Sequence, residues 1–193
     1  LQPFGLEDND PKPQSVEEIA AQYIADLKAN GNTEPYTLGG FSFGANVIYE
    51  MAIQLQQQGL QVDALYIFDG VPFFPRELVT AATGEAGTFT DKVLDALQVL
   101  HGQRPDGLTT QLDHLPEQAQ VSELYQHLTT NTLLQTDEVS FTRQLSLFMQ
   151  QVEMSQVYYP KHEDKLSCPV HLFRCQVNGL NLREDYGWRD VTT

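Results

Sequence analysis

The sequence predicts an α/β fold on a mostly parallel sheet with helices on both faces, and three observations carry that expectation. A short β-prone segment, residues 35–38, runs into Gly39-Gly40-Phe41-Ser42-Phe43-Gly44, which contains a G-x-S-x-G pentapeptide. A helical pattern follows over residues 45–58, with Val47, Ile48, Met51, Ala52 and Leu55 at helical spacing. A continuous apolar run, Ala64-Leu65-Tyr66-Ile67-Phe68, comes next and ends at Asp69-Gly70. Such a run suits a strand buried on both faces of a parallel sheet. Strand, helix, strand, with chemistry-bearing residues at both C-terminal strand ends, is the layout of an open α/β sheet.

The other elements fall around this unit in order. Residues 6–14 are polar, include Pro11 and Pro13, and read as a loop. Ser15 and Glu18 form an S-x-x-E capping box at the start of a helix whose buried stripe is Val16, Ile19, Tyr23, Ile24 and Leu27. Residues 30–34 form a turn into the first strand, and Gly59 closes the second helix at C′. After Asp69, Pro72-Phe73-Phe74-Pro75 breaks the regularity. Three helical segments follow. Residues 91–100 carry Val93, Leu94, Leu97 and Leu100; residues 118–134 carry Val121, Leu124, Tyr125, Leu128 and Leu133; residues 139–159 carry Phe141, Leu145, Phe148, Val152 and Tyr159. One helix suffices to cross between parallel strands. The surplus is expected to make residues 73–159 a helical lid insertion, the alternative being an insertion that only adds core. The sheet resumes at residues 169–174, and residues 184–193 read as a polar loop around Trp188.

With 193 residues and 41% hydrophobic content, the chain is the size of one domain with a full core. No apolar stretch is long enough to span a bilayer, and the N-terminus lacks the basic-then-apolar run of a signal peptide. The start at Leu1-Gln2-Pro3, without Met, leads us to expect a piece of a larger protein. Acidic residues number 26 against 11 basic ones, a net charge of −15. That balance disfavours nucleic acid and anionic membrane surfaces as partners, since both require clustered Lys and Arg. It fits a soluble cytoplasmic enzyme. Cys168 and Cys175 flank an apolar run and are expected to be small buried hydrophobes. No His, Cys and carboxylate cluster has ligand spacing, so no metal is expected.

The chemistry concentrates at Ser42. A serine hydroxyl is a weak nucleophile, and a sharp strand-to-helix turn pushes it out toward a base and a substrate. Flanking glycines supply the room such a turn needs, and the N–H of Phe43, at the helix start, is the expected oxyanion donor. A purely structural alternative has the glycines permitting tight packing and Ser42 serving as an N-cap. The strand before and the helix after weigh against it.

A serine nucleophile needs a base, usually His, and that His needs an acid. In α/β-hydrolases the order is Ser, then Asp or Glu, then His. Asp69 lies 27 residues after Ser42 at the end of the next strand. Asp185, after the following strand, is a rival for the same role. Of the five histidines, His101, His114 and His127 fall in the helical insertion, His162 in a charged loop and His171 within a strand. None follows a last strand, so the catalytic His is expected beyond Thr193. Residues 1–193 alone are then expected to be nearly inert. The strand that would supply the second oxyanion donor is expected before Leu1.

The chain resembles the terminal thioesterase domain of nonribosomal peptide synthetases and polyketide synthases, and more distantly that of animal fatty acid synthase. The phrases that carry the resemblance are Leu1-Gln2-Pro3 with Gly5-Leu6, Ser15-Val16-Glu17-Glu18-Ile19-Ala20, and Tyr36-Thr37-Leu38-Gly39-Gly40-Phe41-Ser42-Phe43-Gly44. Further along they are Tyr49-Glu50-Met51-Ala52, Phe68-Asp69-Gly70, Leu172-Phe173-Arg174 and Gly187-Trp188. The likeness is weakest over residues 73–135. It implies an α/β-hydrolase fold lacking its N-terminal strands and its C-terminal His segment. It implies that Ser42 attacks an acyl or peptidyl thioester carried on the phosphopantetheine of a carrier protein, with no cofactor bound directly. It also selects Asp69 over Asp185. Release would be by hydrolysis or macrocyclisation. The alternatives are a discrete editing thioesterase, a catalytically dead module that docks a carrier protein, and an ordinary carboxylesterase, which the phrases outside the elbow disfavour.

Overall fold

In the computed structural model the described residues are 3–4, 12–73, 112, 114–130, 136–160, 165–175 and 183–193. Helix α1 (Val16–Ala29) begins where the capping residues predict, with the Ser15 hydroxyl accepting the Glu18 N–H at 3.2 Å. The Glu18 carboxylate reaches back one residue further than in a standard capping box, to the Gln14 N–H at 2.7 Å. Val16, Ile19, Ala20 and Ile24 are buried, and Tyr23 and Leu27 pack against them half-buried.

Strand β1 (Tyr36–Phe41), helix α2 (Phe43–Gln57), strand β2 (Val62–Phe68) and strand β3 (Val170–Phe173) complete the sheet unit. The strand order is β1-β2-β3, and both pairings are parallel. Strand β1 runs three residues past the expected stop, through Gly39 and Gly40, because these residues pair with Tyr66 and Ile67 of β2. Partners gained across a ladder outweigh the weak strand propensity of glycine. Helix α2 is apolar nearly all round, with Ala45, Val47, Ile48, Tyr49, Met51, Ala52, Ile53 and Leu55 buried. Gly59, at φ +74°, follows it as predicted.

The face of β1 and β2 toward α2 carries Leu38, Leu65 and Ile67, all buried. The other face departs from expectation. Register places Phe41, Phe68 and Phe173 side by side there, and they are 71%, 44% and 52% exposed. Phe68 stacks on Phe173 at 5.0 Å and Tyr66 on His171 at 4.8 Å between ring centroids. Among the described residues, then, β2 is buried on one face only. Alternation of Tyr66 and Phe68 with the aliphatic Leu65 and Ile67 is the trace of this in the sequence.

The segments around β3 are tied back to α2. The Gln56 amide donates to the Lys165 carbonyl at 3.2 Å and accepts from the Ser167 N–H and hydroxyl, each at 2.9 Å. The last residues, expected to be a loop, instead form a 3-10 turn (Trp188–Asp190) and a parallel bridge between Leu166 and Thr192. The Tyr158 hydroxyl donates to Glu50 at 2.8 Å. Burial, reinforced by the Glu50 charge, holds that phenol protonated well above its ordinary range. Cys168 is buried, which raises its thiol pKa, whereas Cys175 is exposed, contrary to expectation; neither forms a disulfide.

The chain divides into two units, one of Leu1–Phe4, Pro11–Pro75 and Val152–Thr193, the other of Gly5–Asp10 and Arg76–Gln151. The elements above belong to the first. In the second, helix α3 (Glu117–Thr130) and the first turns of helix α4 (Glu138–Val157) bury Leu124, Leu128, Phe141 and Leu145 together with Leu112. Asp137 caps α4, accepting the Ser140 N–H at 2.9 Å and its hydroxyl at 2.7 Å, and these bonds lower its carboxyl pKa. The expected helix over 91–100, and Leu133, lie outside the described residues.

Candidate functional site

Strand β1 meets helix α2 with no room for a side chain. A Cβ added to Gly40 would lie 2.3 Å from the Gly44 carbonyl oxygen and 2.6 Å from its carbon. Only glycine lets the strand end and the helix start cross this closely. Gly44 is different: a Cβ there meets nothing within 4 Å. Of the two glycines of the pentapeptide, Gly40 is therefore the steric one, and Gly44 matters through its carbonyl.

Between them, Ser42 sits at φ +51°, ψ −120°, a conformation that costs a side-chain-bearing residue of order 1–3 kcal/mol. Its side chain makes no cap hydrogen bond to α2, so it is not the N-cap that the structural alternative requires. Ser42 is exposed, as a nucleophile must be. Phe43 is the first residue of α2, where a backbone N–H has no intrahelical acceptor and points out along the helix axis.

The end of β2 is bound to this turn. The Ser42 N–H donates to the Phe68 carbonyl at 3.0 Å. A Cβ on Gly70 would lie 2.4 Å from the Ala45 Cβ and 2.8 Å from the Ser42 carbonyl oxygen, so the two turns are in contact. Asp69, between Phe68 and Gly70, is half-buried and also in the left-handed region, at φ +50°. Its N–H donates to the Phe173 carbonyl at 2.8 Å, and its Oδ1 accepts the Cys175 N–H at 3.1 Å and the Tyr186 hydroxyl at 2.9 Å. Adjacent parallel strands thus bring Ser42 and Asp69 to one sheet edge.

Three residues to which the sequence reading gave no role at the site secure the Asp69 turn. Asn46, buried in the first turn of α2, donates its amide to the Val71 and Pro72 carbonyls at 2.9 and 2.8 Å. Trp188 donates its indole N–H to the Gly70 carbonyl at 2.9 Å and packs edge-on against Tyr49. Tyr186 holds the carboxylate itself. A polar residue between Ala45 and Val47 on an otherwise apolar helix was the available signal for Asn46. Tyr186 and Trp188 gave none beyond the Gly187-Trp188 phrase.

The rival acid, Asp185, is engaged in its own turn. It accepts the Gly187 and Arg189 N–H groups, each at 3.3 Å, and pairs with the Arg183 guanidinium at 3.5 Å. Partial burial pushes its pKa up, but the Gly187 N–H and the Arg183 charge outweigh it and the net direction is down. His171 lies on the aromatic face of the sheet, stacked on Tyr66. His114 and His127 belong to the other unit, and His101 and His162 lie outside the described residues.

The chain as a whole has counterparts among known proteins. The family model for the thioesterase domain matches residues 2–172. The chain belongs to the thioesterase-domain family. The domain is 34% identical over 108 residues to a dimodular nonribosomal peptide synthase of Bacillus subtilis (strain 168), covering 56% of this chain and 4% of that protein. It is 26% identical over 189 residues to an indigoidine synthase of Dickeya dadantii (strain 3937), covering 97% of this chain and 12% of that protein. The thioesterase domain thus spans a small part of the curated relatives it matches.

Among solved structures, a four-domain nonribosomal peptide synthetase bound to AMP and glycine superposes with a TM-score of 0.81 at 22% identity. That match covers 100% of this chain and 14% of the other. The NocB thioesterase domain, solved as a covalent complex with a fluorophosphonate nocardicin G analogue, gives a TM-score of 0.56 at 21% identity, with 91% of this chain and 58% of that one covered. These likenesses establish a shared α/β fold. No helix among the described residues is long and apolar enough to cross a membrane.

Proposed function

We propose that this thioesterase domain releases an acyl or peptidyl chain from a phosphopantetheinyl carrier protein through an acyl-Ser42 intermediate. The observation that carries the reading is the strained, exposed Ser42 in contact with the Asp69 turn. In this mechanism a base withdraws the Ser42 proton as Oγ attacks the thioester carbonyl carbon. The oxyanion is met by the Phe43 N–H. The C–S bond then breaks, and the pantetheine thiol leaves with the proton from the base. Water, or a nucleophile within the bound chain, next attacks the ester; the C–O bond breaks and Ser42 regains its proton. The products are a free acid or a macrocycle, respectively. Asp69 orients the base and stabilises its charged form.

The base proposed here is a histidine beyond Thr193; His171, stacked on Tyr66 on the sheet face, is not assigned that role. Residues 73–159 act as a helical lid over the acyl chain, and the carrier protein is the partner. In the complete protein, Ser42→Ala abolishes the acyl adduct seen by intact mass. Asp69→Asn lowers kcat by about 10⁴-fold, the loss produced by the equivalent change in a serine triad. Residues 1–193 alone react with a fluorophosphonate far more slowly than the complete protein. Full labelling of Ser42 in residues 1–193 would place the base among the five histidines of this chain instead.

A further inference from the structure

Among the described residues, three other than glycine adopt a positive φ: Ser42, Asp69 and Tyr186, at +51°, +50° and +52°. Strain of this kind persists only where the surroundings enforce it, and it gathers at functional sites. The first two are the nucleophile and acid of the proposed reaction. The third touches the acid. We infer that Tyr186 is a positioning residue that fixes the Asp69 carboxylate for the base, an assignment that rests on the function proposed above.

The geometry makes the argument. Asp69 Oδ1 accepts two donors from separate segments: the Cys175 N–H just after β3, and the Tyr186 hydroxyl from the turn that precedes Trp188. With two donors on one oxygen, the carboxylate cannot rotate without losing both. An imidazole N–H approaching it is directed to Oδ2. The phenol suits this task, because its hydroxyl supplies one hydrogen-bond donor and carries no competing positive charge.

Tyr186 is itself held. It is 4% exposed, and the Arg174 guanidinium lies 4.8 Å over its ring. Two residues on, the Trp188 indole grips the Gly70 carbonyl. The turn therefore clasps the Asp69–Gly70 peptide twice, once by side chain and once by backbone, and Gly187 at φ +90° between the two lets both reach. A tyrosine serving the core alone would place its hydroxyl at the surface or on a backbone carbonyl; this one ends on the proposed triad acid.

The test is a double-mutant cycle in the complete protein, read by kcat on an acyl thioester and by the rate of fluorophosphonate labelling at Ser42. Tyr186→Phe lowers kcat by about 10- to 100-fold, the range for one hydrogen bond to a charged group, and leaves KM within about twofold. In an Asp69→Asn background the same change alters the labelling rate by less than about twofold, because the group it positions is already gone. Equal losses in both backgrounds would make Tyr186 merely structural and overturn the inference. If Asp69→Asn itself keeps full activity, the proposed acid is wrong; if Asp69→Asn is inactive but Tyr186→Phe matches wild type, only the inference falls. Should Tyr186→Phe fail to fold, a ring-fluorinated tyrosine at 186 keeps the shape and makes the phenol more acidic. The inference then requires this stronger donor to change kcat with KM held, and a kcat equal to that of wild type overturns it.

Discussion

Substituting Gly40 by Ala tests the elbow directly. The new Cβ would stand 2.3 Å from the Gly44 carbonyl oxygen, 2.6 Å from its carbon and 2.9 Å from the Ala45 nitrogen. All three are backbone atoms of the first turn of α2, so no side chain can swing aside. To restore ordinary contact, α2 must retreat from β1 by about 1 Å, and such overpacking costs ~1–3 kcal/mol or more. The retreat also loosens the packing of Ala45 and Tyr49, both fully buried, so we expect the upper end, about 3 kcal/mol. In a domain of this size that lowers Tm by roughly 6–12 °C. Gly44→Ala is the matched control. Its Cβ meets open space, and alanine is the better helix former by up to ~1 kcal/mol, so stability holds or rises slightly. Urea midpoints of the two variants against wild type decide the matter. Equal shifts, or a loss below about 1 kcal/mol for Gly40→Ala, would refute the steric account of the pentapeptide.

Two further expectations concern the frame of the site and the helical unit. Asn46→Asp sets a carboxylate against the Val71 and Pro72 carbonyls in a site 1% exposed, and should cost more than about 3 kcal/mol by urea denaturation; Asn46→Ala should cost about 2 kcal/mol. The aspartate variant should weaken further as pH rises through the carboxylate range, because its charged form is the one penalised. Asp137 has the opposite sign: its pKa is lowered on folding from the ordinary 3.8, so its charge stabilises above that pH and the contribution is lost as pH falls through the folded value. Asp137→Asn keeps an acceptor but not the charge. Its Tm should fall below wild type at pH 7, and the gap should close in acid; a gap independent of pH would show that the charge is irrelevant.

Much of the sheet unit could be read from the chain because its signals are local. Ser15 and Glu18 announce α1, five apolar residues at helical spacing announce α2, and the apolar run ending at Phe68 announces β2. The G-x-S-x-G spacing located Ser42, and the end of β2 located Asp69. What could not be read depended on distant pairing. Gly39 and Gly40 look like a strand stop until β2 supplies their partners. The exposed face of Phe41, Phe68 and Phe173 is invisible in composition, since aromatic residues look like core. Tyr186 lies 117 positions from the carboxylate it binds, and no periodicity reports a contact of that kind.

Trp188 is the one tryptophan of this chain, so the indole emission of residues 1–193 comes from a single place. That place is informative. The ring is 4% exposed, its N–H is spent on Gly70, and its neighbour Tyr49 sits 5.9 Å away. Emission should therefore be blue-shifted while the Asp69 turn is seated, and should move to the red when that turn alone comes loose. A titration followed by fluorescence would report the loosening of the candidate catalytic edge, and circular dichroism on the same sample would report the helices. Any separation between the two curves would give the intrinsic resilience of the site relative to the domain that carries it, without a label or a ligand.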